Sequence, residues 1–215
     1  MLLPLPVTAQ GNGVSSPMRP LFAAATGLLE TQHMSVDAGL AARTEKSVPS
    51  PFSIDLPESE SIALRISEDT PGALSQVDFF TPQGQFVESL RFTNARVAVM
   101  EDDRRGMAMA NLLVLHTFPA LQKRYADARI HGFGNTRLGD NDAVQIYGSF
   151  TNVTGERFFF RHVGFMRPDS DNVVVGISTV RQKLMPVTSR EQFRNTYGGY
   201  ALESFRFAED IALAQ

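Results

Sequence analysis

Four histidines, His33, His116, His131 and His162, are the residues of this chain best suited to proton transfer or metal ligation near neutral pH. A zinc site needs ligands at a workable spacing, such as the two histidines one helical turn apart in HExxH, and no such pair occurs. His116 falls in a stretch that reads as helix, His162 in a Phe-rich strand, and His131 ahead of Gly132-Phe133-Gly134 in a segment that reads as a loop. Each is expected to be packed or solvated. No GxSxG elbow accompanies them, so a Ser/His/Asp site would have to assemble from distant parts of the chain, and nothing nominates its serine. The sequence therefore assigns no catalytic, cofactor-binding or metal-binding residue, and no cofactor.

Three acidic runs invite a hard-cation reading: Glu101-Asp102-Asp103, Asp140-Asn141-Asp142 and Asp169-Ser170-Asp171-Asn172. The EF-hand pattern is absent, and Asp and Asn favour turns on their own account. "HGFGNTRLGD" (131–140) is rich in glycine but lacks both the phosphate-loop and the dinucleotide fingerprints. It reads as a loop from helix to strand. "ERFFFRHVGF" (156–165) superficially resembles the aromatic and basic platform of an RNA-binding sheet. The glycine placement of that motif fails, and a sheet buried on both faces would use the same Phe run as core. Arg91, Arg96, Arg161 and Arg181 are the candidates for partner-facing charge, since arginine is enriched at protein interfaces.

The chain that must position these groups has 215 residues, enough for one domain plus an extension. Its formal net charge is −3, which gives no cationic field for nucleic acid. It has no cysteine, hence no disulfide, thiolate metal site or Cys nucleophile. No stretch has the length of a membrane-spanning helix. "MLLPLPVTAQ" is apolar, and Val7-Thr8-Ala9 resembles the small-residue pattern read by a signal peptidase, although the basic n-region is missing. The expectation is a periplasmic or extracellular protein, the other reading being a cytoplasmic one. Residues 1–46 are read as a flexible leader, possessing a helix-permissive stretch interrupted by Gly27 and Gly39. The folded domain is placed at 47–208 and a tail at 209–215.

Within the domain the period of the apolar residues decides the elements. "FSIDL", fenced by Pro51 and Pro57, reads as an edge strand. "SIALRIS", "LSQVDFF" and "FVESLRFTNARVAVM" read as further strands, the last with a bulge or turn at Asn94-Ala95. Met107, Ala110, Val114, Phe118, Leu121 and Tyr125 form one helical stripe, with a kink or break expected at Pro119. "AVQIYGSF", "ERFFFRHVGFM" and "VVVGISTVRQ" read as an antiparallel meander. Thr188-Ser189-Arg190-Glu191 has the capping-box pattern, with Phe193 and Tyr197 on one face of the short helix that follows. Gly198 and Gly199 are expected to stop that helix, and "YALESFRF" to return as the last strand.

This layout resembles the PsbP-like α/β/α sandwich family over residues 47–208. The residues that carry the resemblance are "FSIDLP" at 52–57, the capped helix at 188–198 and "ALESFRF" at 201–207. Photosystem II extrinsic subunits, a Ran-binding import factor, mycobacterial lipoproteins and secretion-adaptor chaperones share that fold. The resemblance implies an α+β fold: a mostly antiparallel sheet with a long helix and a short C-terminal helix packed on it. It further implies a non-catalytic accessory or binding protein that engages a protein partner or a small apolar ligand; the net charge and the lack of a long apolar stretch add the expectation of no nucleic acid and no membrane span. The alternatives are a hydrolase with a spatially assembled His/carboxylate site and a cytoplasmic secretion adaptor.

Overall fold

Alternating apolar residues, many of them β-branched or aromatic, carry ten segments of this chain into antiparallel strands. The computed structural model describes residues 30–187 and 189–208. In chain order the strands are β1 (Glu30–Val36), β2 (Phe52–Glu58), β3 (Ala63–Ser67), β4 (Ser75–Phe80), β5 (Phe86–Arg96), β6 (Arg129–Leu138), β7 (Asn141–Thr151), β8 (Arg157–Met166), β9 (Asn172–Arg181) and β10 (Arg206–Phe207). The helices are α1 (Ala38–Thr44), α2 (Asp102–Leu112), α3 (Phe118–Arg124) and α4 (Tyr197–Glu203). A seven-stranded sheet runs β3-β4-β5-β9-β8-β7-β6, and a three-stranded sheet runs β1-β2-β10. The fold is thus α+β, as the resemblance implied.

The centre of the large sheet is buried on both faces, which is why β8 reads as an almost continuous apolar run. Phe158 and Phe160 face α2 and α3, where Met109, Leu113 and Phe118 cover them. Phe159, Val163 and Phe165 face the other way, towards Phe52, Ile54 and Leu56 of the small sheet and Leu202 and Phe205 of the C-terminal segment. The Phe run is core on both sides.

Several elements differ from the sequence expectation. The helix-permissive stretch ahead of Ser47 contains β1, paired with β2 from Glu30↔Glu58 to Val36↔Phe52, and α1, capped by the Asp37 carboxylate. β2 is consequently the middle strand of its sheet and not an edge. Pro57 is tolerated there because β10 pairs only with Phe52 and Ser53, so at Pro57 the strand is bordered by β1 alone. "HGFGNTRL" is not a loop but most of β6, paired with β7 along its length; its glycines disguised a strand because glycine is depleted in strands generally. β5 continues through Asn94 and Ala95 without a break, and the irregularity lies at Phe79/Phe80 of β4.

The break expected at Pro119 is a π-helical turn, Leu113–Thr117, joining α2 to α3. Pro119 then falls in the first turn of α3, directly after the widened π turn, which accommodates the ring and the missing N–H without ending the helix.

The C-terminal glycines open a helix instead of closing one. Thr188 lies outside the described residues, and a 3-10 turn covers Glu191–Asn195. The cap is Thr196, whose Oγ1 accepts from the Gly199 amide at 2.9 Å. "YGGYALE" is α4 and only Arg206–Phe207 form strand. Neither glycine has a positive φ. Close approach is what demands them: a Cβ on Gly199 would lie 1.7 Å from the Phe193 carbonyl oxygen, and one on Gly198 would lie 2.5 Å from the Glu88 carboxyl.

Glu88, on β5 and wholly buried, ties this helix to the sheet. Its Oε1 accepts from Ser178 Oγ at 2.7 Å and Thr196 Oγ1 at 3.0 Å, and the amides of Gly198 and Tyr197 also support the carboxyl. Oε2 has no partner among the described residues. Desolvation outweighs the hydrogen bonds and raises the Glu88 pKa to about 7. A folded-state pKa above the unfolded value of 4.5 means that the native state holds this proton longer. Its contribution to stability is complete below pH 4.5 and is lost as pH rises through about 7. We expect wild-type unfolding free energy to fall by about 3 kcal/mol relative to Glu88→Gln between about pH 4 and 8. Urea denaturation across that range checks this, and parallel profiles for the two proteins would refute it. Gly199→Ala is expected to cost about 3 kcal/mol by the same assay.

Candidate functional site

The long helix lies over β6, β7 and β8, while the sheet continues past it through β9, β5, β4 and β3. At this step a groove of about 470 Å³ opens, walled by α3 on one side and floored by the outward residues of the extending strands. Strand parity selects those residues. In β4, Val77 and Phe79 enter the core, so Gln76, Asp78 and Phe80 line the groove. Phe80 and Phe86 meet edge to face at 6.0 Å. Across the groove, Tyr125 stacks on Phe150 at 4.1 Å.

The charges in the groove are unbalanced. Asp78 is buried, and both its oxygens are taken: Arg65 Nη2 donates to Oδ2 at 2.9 Å and Gln76 Nε2 to Oδ1 at 2.8 Å. The Arg65 guanidinium also lies 4.9 Å over the Phe80 ring. Arg91 Nη2 donates to the Pro71 carbonyl at 2.6 Å, but its buried Nε has no partner among the described residues, and desolvation lowers its pKa. Arg124 sits 5.5 Å over the Tyr125 ring. Among the described residues no carboxylate forms an ion pair with Arg91 or Arg124. The Arg65–Asp78 pair cancels, which leaves two uncompensated cations in one groove.

His162 forms part of the floor and is 1% exposed. Its Nδ1 lies 2.8 Å from Thr117 Oγ1, and that hydroxyl lies 2.7 Å from the Leu113 carbonyl oxygen. The carbonyl can only accept, so the hydroxyl proton goes to it, and Nδ1 must be the donor to Oγ1. Burial holds the His162 pKa at about 3, so the ring is neutral at ordinary pH. Its Nε2 is then a bare acceptor, and it has no partner among the described residues.

The other histidines lie elsewhere. His116 is exposed on the π turn. His131, on β6, contacts Ser149 Oγ at 2.8 Å and lines a separate hollow with Tyr147 and Phe193. His33 Nδ1 contacts Asp55 Oδ1 at 3.0 Å, and its Nε2 lies 3.4 Å from Ser35 Oγ. That is a serine, histidine and aspartate in relay order, on the outer face of β1 and β2 with the His33 side chain 58% exposed. Ser35 is the serine that the sequence could not nominate. The acidic runs fall at the start of α2, the β6–β7 turn and the β8–β9 turn. The described residues contain no cluster of three or more metal-binding groups.

Of the arginines singled out from sequence, only Arg91 enters the groove. Arg161 is buried on the opposite face, donating from Nε to Gln145 at 2.7 Å, and its pKa is lowered to about 10 by burial. Arg181 pairs with Glu156, and Arg96 is exposed near Asp171. Sequence reading passed over Arg65, Asp78, Thr117 and Arg124. The usable signal was parity: Asp78 and Phe80 alternate with the core residues Val77 and Phe79.

No protein family matches the sequence, and no curated protein matches it. Among the described residues no helix is long and apolar enough to cross a membrane. Solved structures similar to the chain include LpqN of Mycobacterium tuberculosis, described as involved in cell envelope biogenesis, at 13% identity and TM-score 0.47, covering 83% of this chain and 91% of that one. The Saccharomyces cerevisiae Ran-binding protein Mog1p is 9% identical with a TM-score of 0.44, covering 83% of this chain and 95% of that one. Cyanobacterial PsbP (CyanoP) from Synechocystis is 9% identical with a TM-score of 0.43, covering 85% of this chain and 95% of that one. The resemblance to these structures is one of fold alone.

Proposed function

We propose that this chain is a non-catalytic binding protein whose ligand site is the groove beside the long helix. One observation carries the reading: the groove gathers polar groups whose partners are not supplied by the described residues. Arg91 and Arg124 have no counter-ion among the described residues, and His162 Nε2 has no donor. The buried Arg91 Nε and His162 Nε2 are costly to leave unsatisfied and a bound molecule would supply their partners, while the exposed Arg124 adds positive charge at the rim. The same groove is poorly suited to hydrolysis. A histidine with a pKa of about 3 is a weak general base at neutral pH, and Asp78 is engaged by Arg65 and Gln76.

The chain is read further as exported, on the strength of its apolar start and Val7-Thr8-Ala9. N-terminal sequencing of the native protein tests this. A mature start beyond Ala9 fits export, and an intact Met1 would favour a cytoplasmic secretion adaptor.

A second reading, an esterase, draws on the Ser35–His33–Asp55 relay alone. Its exposure to water works against it, since the electrostatic stabilisation of an oxyanion is strongest in a site that excludes solvent. Hydrolysis of nitrophenyl acetate that disappears in both Ser35→Ala and His33→Ala would establish the esterase; activity unchanged by these substitutions would remove it.

For the groove itself, the neutral dye Nile red is the probe. Ala120, exposed on α3 and lining the groove, is the position to fill. Ala120→Trp is expected to weaken dye binding by about tenfold, roughly the loss of one well-packed aromatic contact, with circular dichroism unchanged. Equal binding by the variant and the wild type, or no binding by either, would overturn the groove as the ligand site.

A further inference from the structure

We propose that the groove selects a small aryl carboxylate that also carries a hydroxyl group. This rests on the groove being the ligand site and adds the chemistry of what fills it.

Three features of the walls each ask for a different part of such a molecule. The anion follows from charge. Arg65 and Asp78 neutralise one another, whereas Arg91 and Arg124 face the same space with no carboxylate paired to them among the described residues. Arg91 is partly desolvated already, so an anion beside it gains more than it would in open water. A carboxylate presents two coplanar oxygens, the geometry that a guanidinium fork accommodates. The aromatic body follows from the rings, with Phe80 and Phe86 on one side and Tyr125 and Phe150 on the other. Offset or edge-on aromatic contacts suit a planar ring between them.

The hydroxyl follows from the tautomer of His162. Because Thr117 spends its proton on the Leu113 carbonyl, His162 must donate from Nδ1, and only an acceptor remains at Nε2. Nε2 is closed to solvent, so a ligand that reaches it displaces a neighbouring side chain and has to bring a donor. A second carboxylate oxygen there would find lone pair against lone pair. The size of the groove, about 470 Å³, is that of a small-molecule site.

The experiment uses the full chain and three probes: hydroxyphenylpropionate, phenylpropionate and hydroxyphenylpropionamide. Calorimetry is expected to give the hydroxy acid an affinity about tenfold above each of the other two. One factor reflects a charge-assisted hydrogen bond and the other a buried acceptor left without its donor. In Arg91→Gln the preference for acid over amide should shrink to about twofold, because only the Arg124 charge is left. Nitrogen NMR of the free protein should show His162 Nε2 unprotonated, with its resonance moving on addition of the hydroxylated probes and not of phenylpropionate.

Acid and amide binding equally, both lost in Ala120→Trp, would overturn the proposed anion while leaving the groove as the site. Equal affinity with and without the hydroxyl, or a protonated Nε2, would overturn the role given to His162. Binding unaffected by Ala120→Trp, or no binding of any probe, would overturn both the ligand class and the groove.

Discussion

The Glu88 carboxyl is the point at which the layers of this sandwich are fastened. Its Oε1 gathers Ser178 from the neighbouring strand β9 and Thr196 from the cap of α4, and the first amides of that helix add to the set. With α4 held there, Phe205 is delivered against Phe165 at 3.9 Å and against Phe52 at 5.0 Å. One ring contact reaches the large sheet and the other the small sheet. β10 then pairs with the start of β2. Burial of a carboxyl is expensive, and here most of the cost is offset by four donors converging on it.

The opposite face is governed by a mismatch of widths. A single helix cannot roof a seven-stranded sheet, and this one is centred over β6 to β8. On the α4 face a second sheet supplies the missing cover. On the helix face no described residue does so, and the outward residues of β4 and β5 become a groove wall with polar and aromatic character. The π-helical turn contributes to the site directly, because Thr117 at its end is the group that fixes the His162 tautomer. A turn that accommodates Pro119 thus also sets the hydrogen-bonding polarity of the groove floor.

Burial shifts Glu88 and His162 in ways that oppose each other. Glu88 is raised to about 7 and His162 lowered to about 3, so each favours its neutral form in the fold. Below its ordinary pKa of 6.5 the unfolded histidine takes up a proton that the native one refuses, so His162 stabilises the fold less as the solution becomes acid. Glu88 does the reverse above 4.5. Between those values the two slopes act against each other, one from each face of the same sheet. Glu88 and His162 are thus both driven towards neutrality by burial, whereas Arg161, buried on the Glu88 face, keeps its charge at neutral pH because its pKa falls only to about 10.

Much of the fold was legible in the chain. The meander β7–β8–β9 follows from period-two alternation and turn residues, and the long helix follows from its apolar stripe, because those signals are local. The sequence also established what is missing from it: no cysteine, no ligand-spaced histidines and no nucleophile elbow. Other features depended on what lies across space. Gly198 and Gly199 were read as a helix stop because glycine often is one, but they open α4, since Glu88 and the Phe193 carbonyl leave no room for a Cβ. β6 was hidden by its glycines until β7 paired with it. The groove draws residues from six strands and the long helix, from Arg65 to Thr179. No sequence window contains it. Local periodicity determined the elements; long-range packing decided which faces were covered, and hence where two arginines with no counter-ion among the described residues and the bare histidine nitrogen meet.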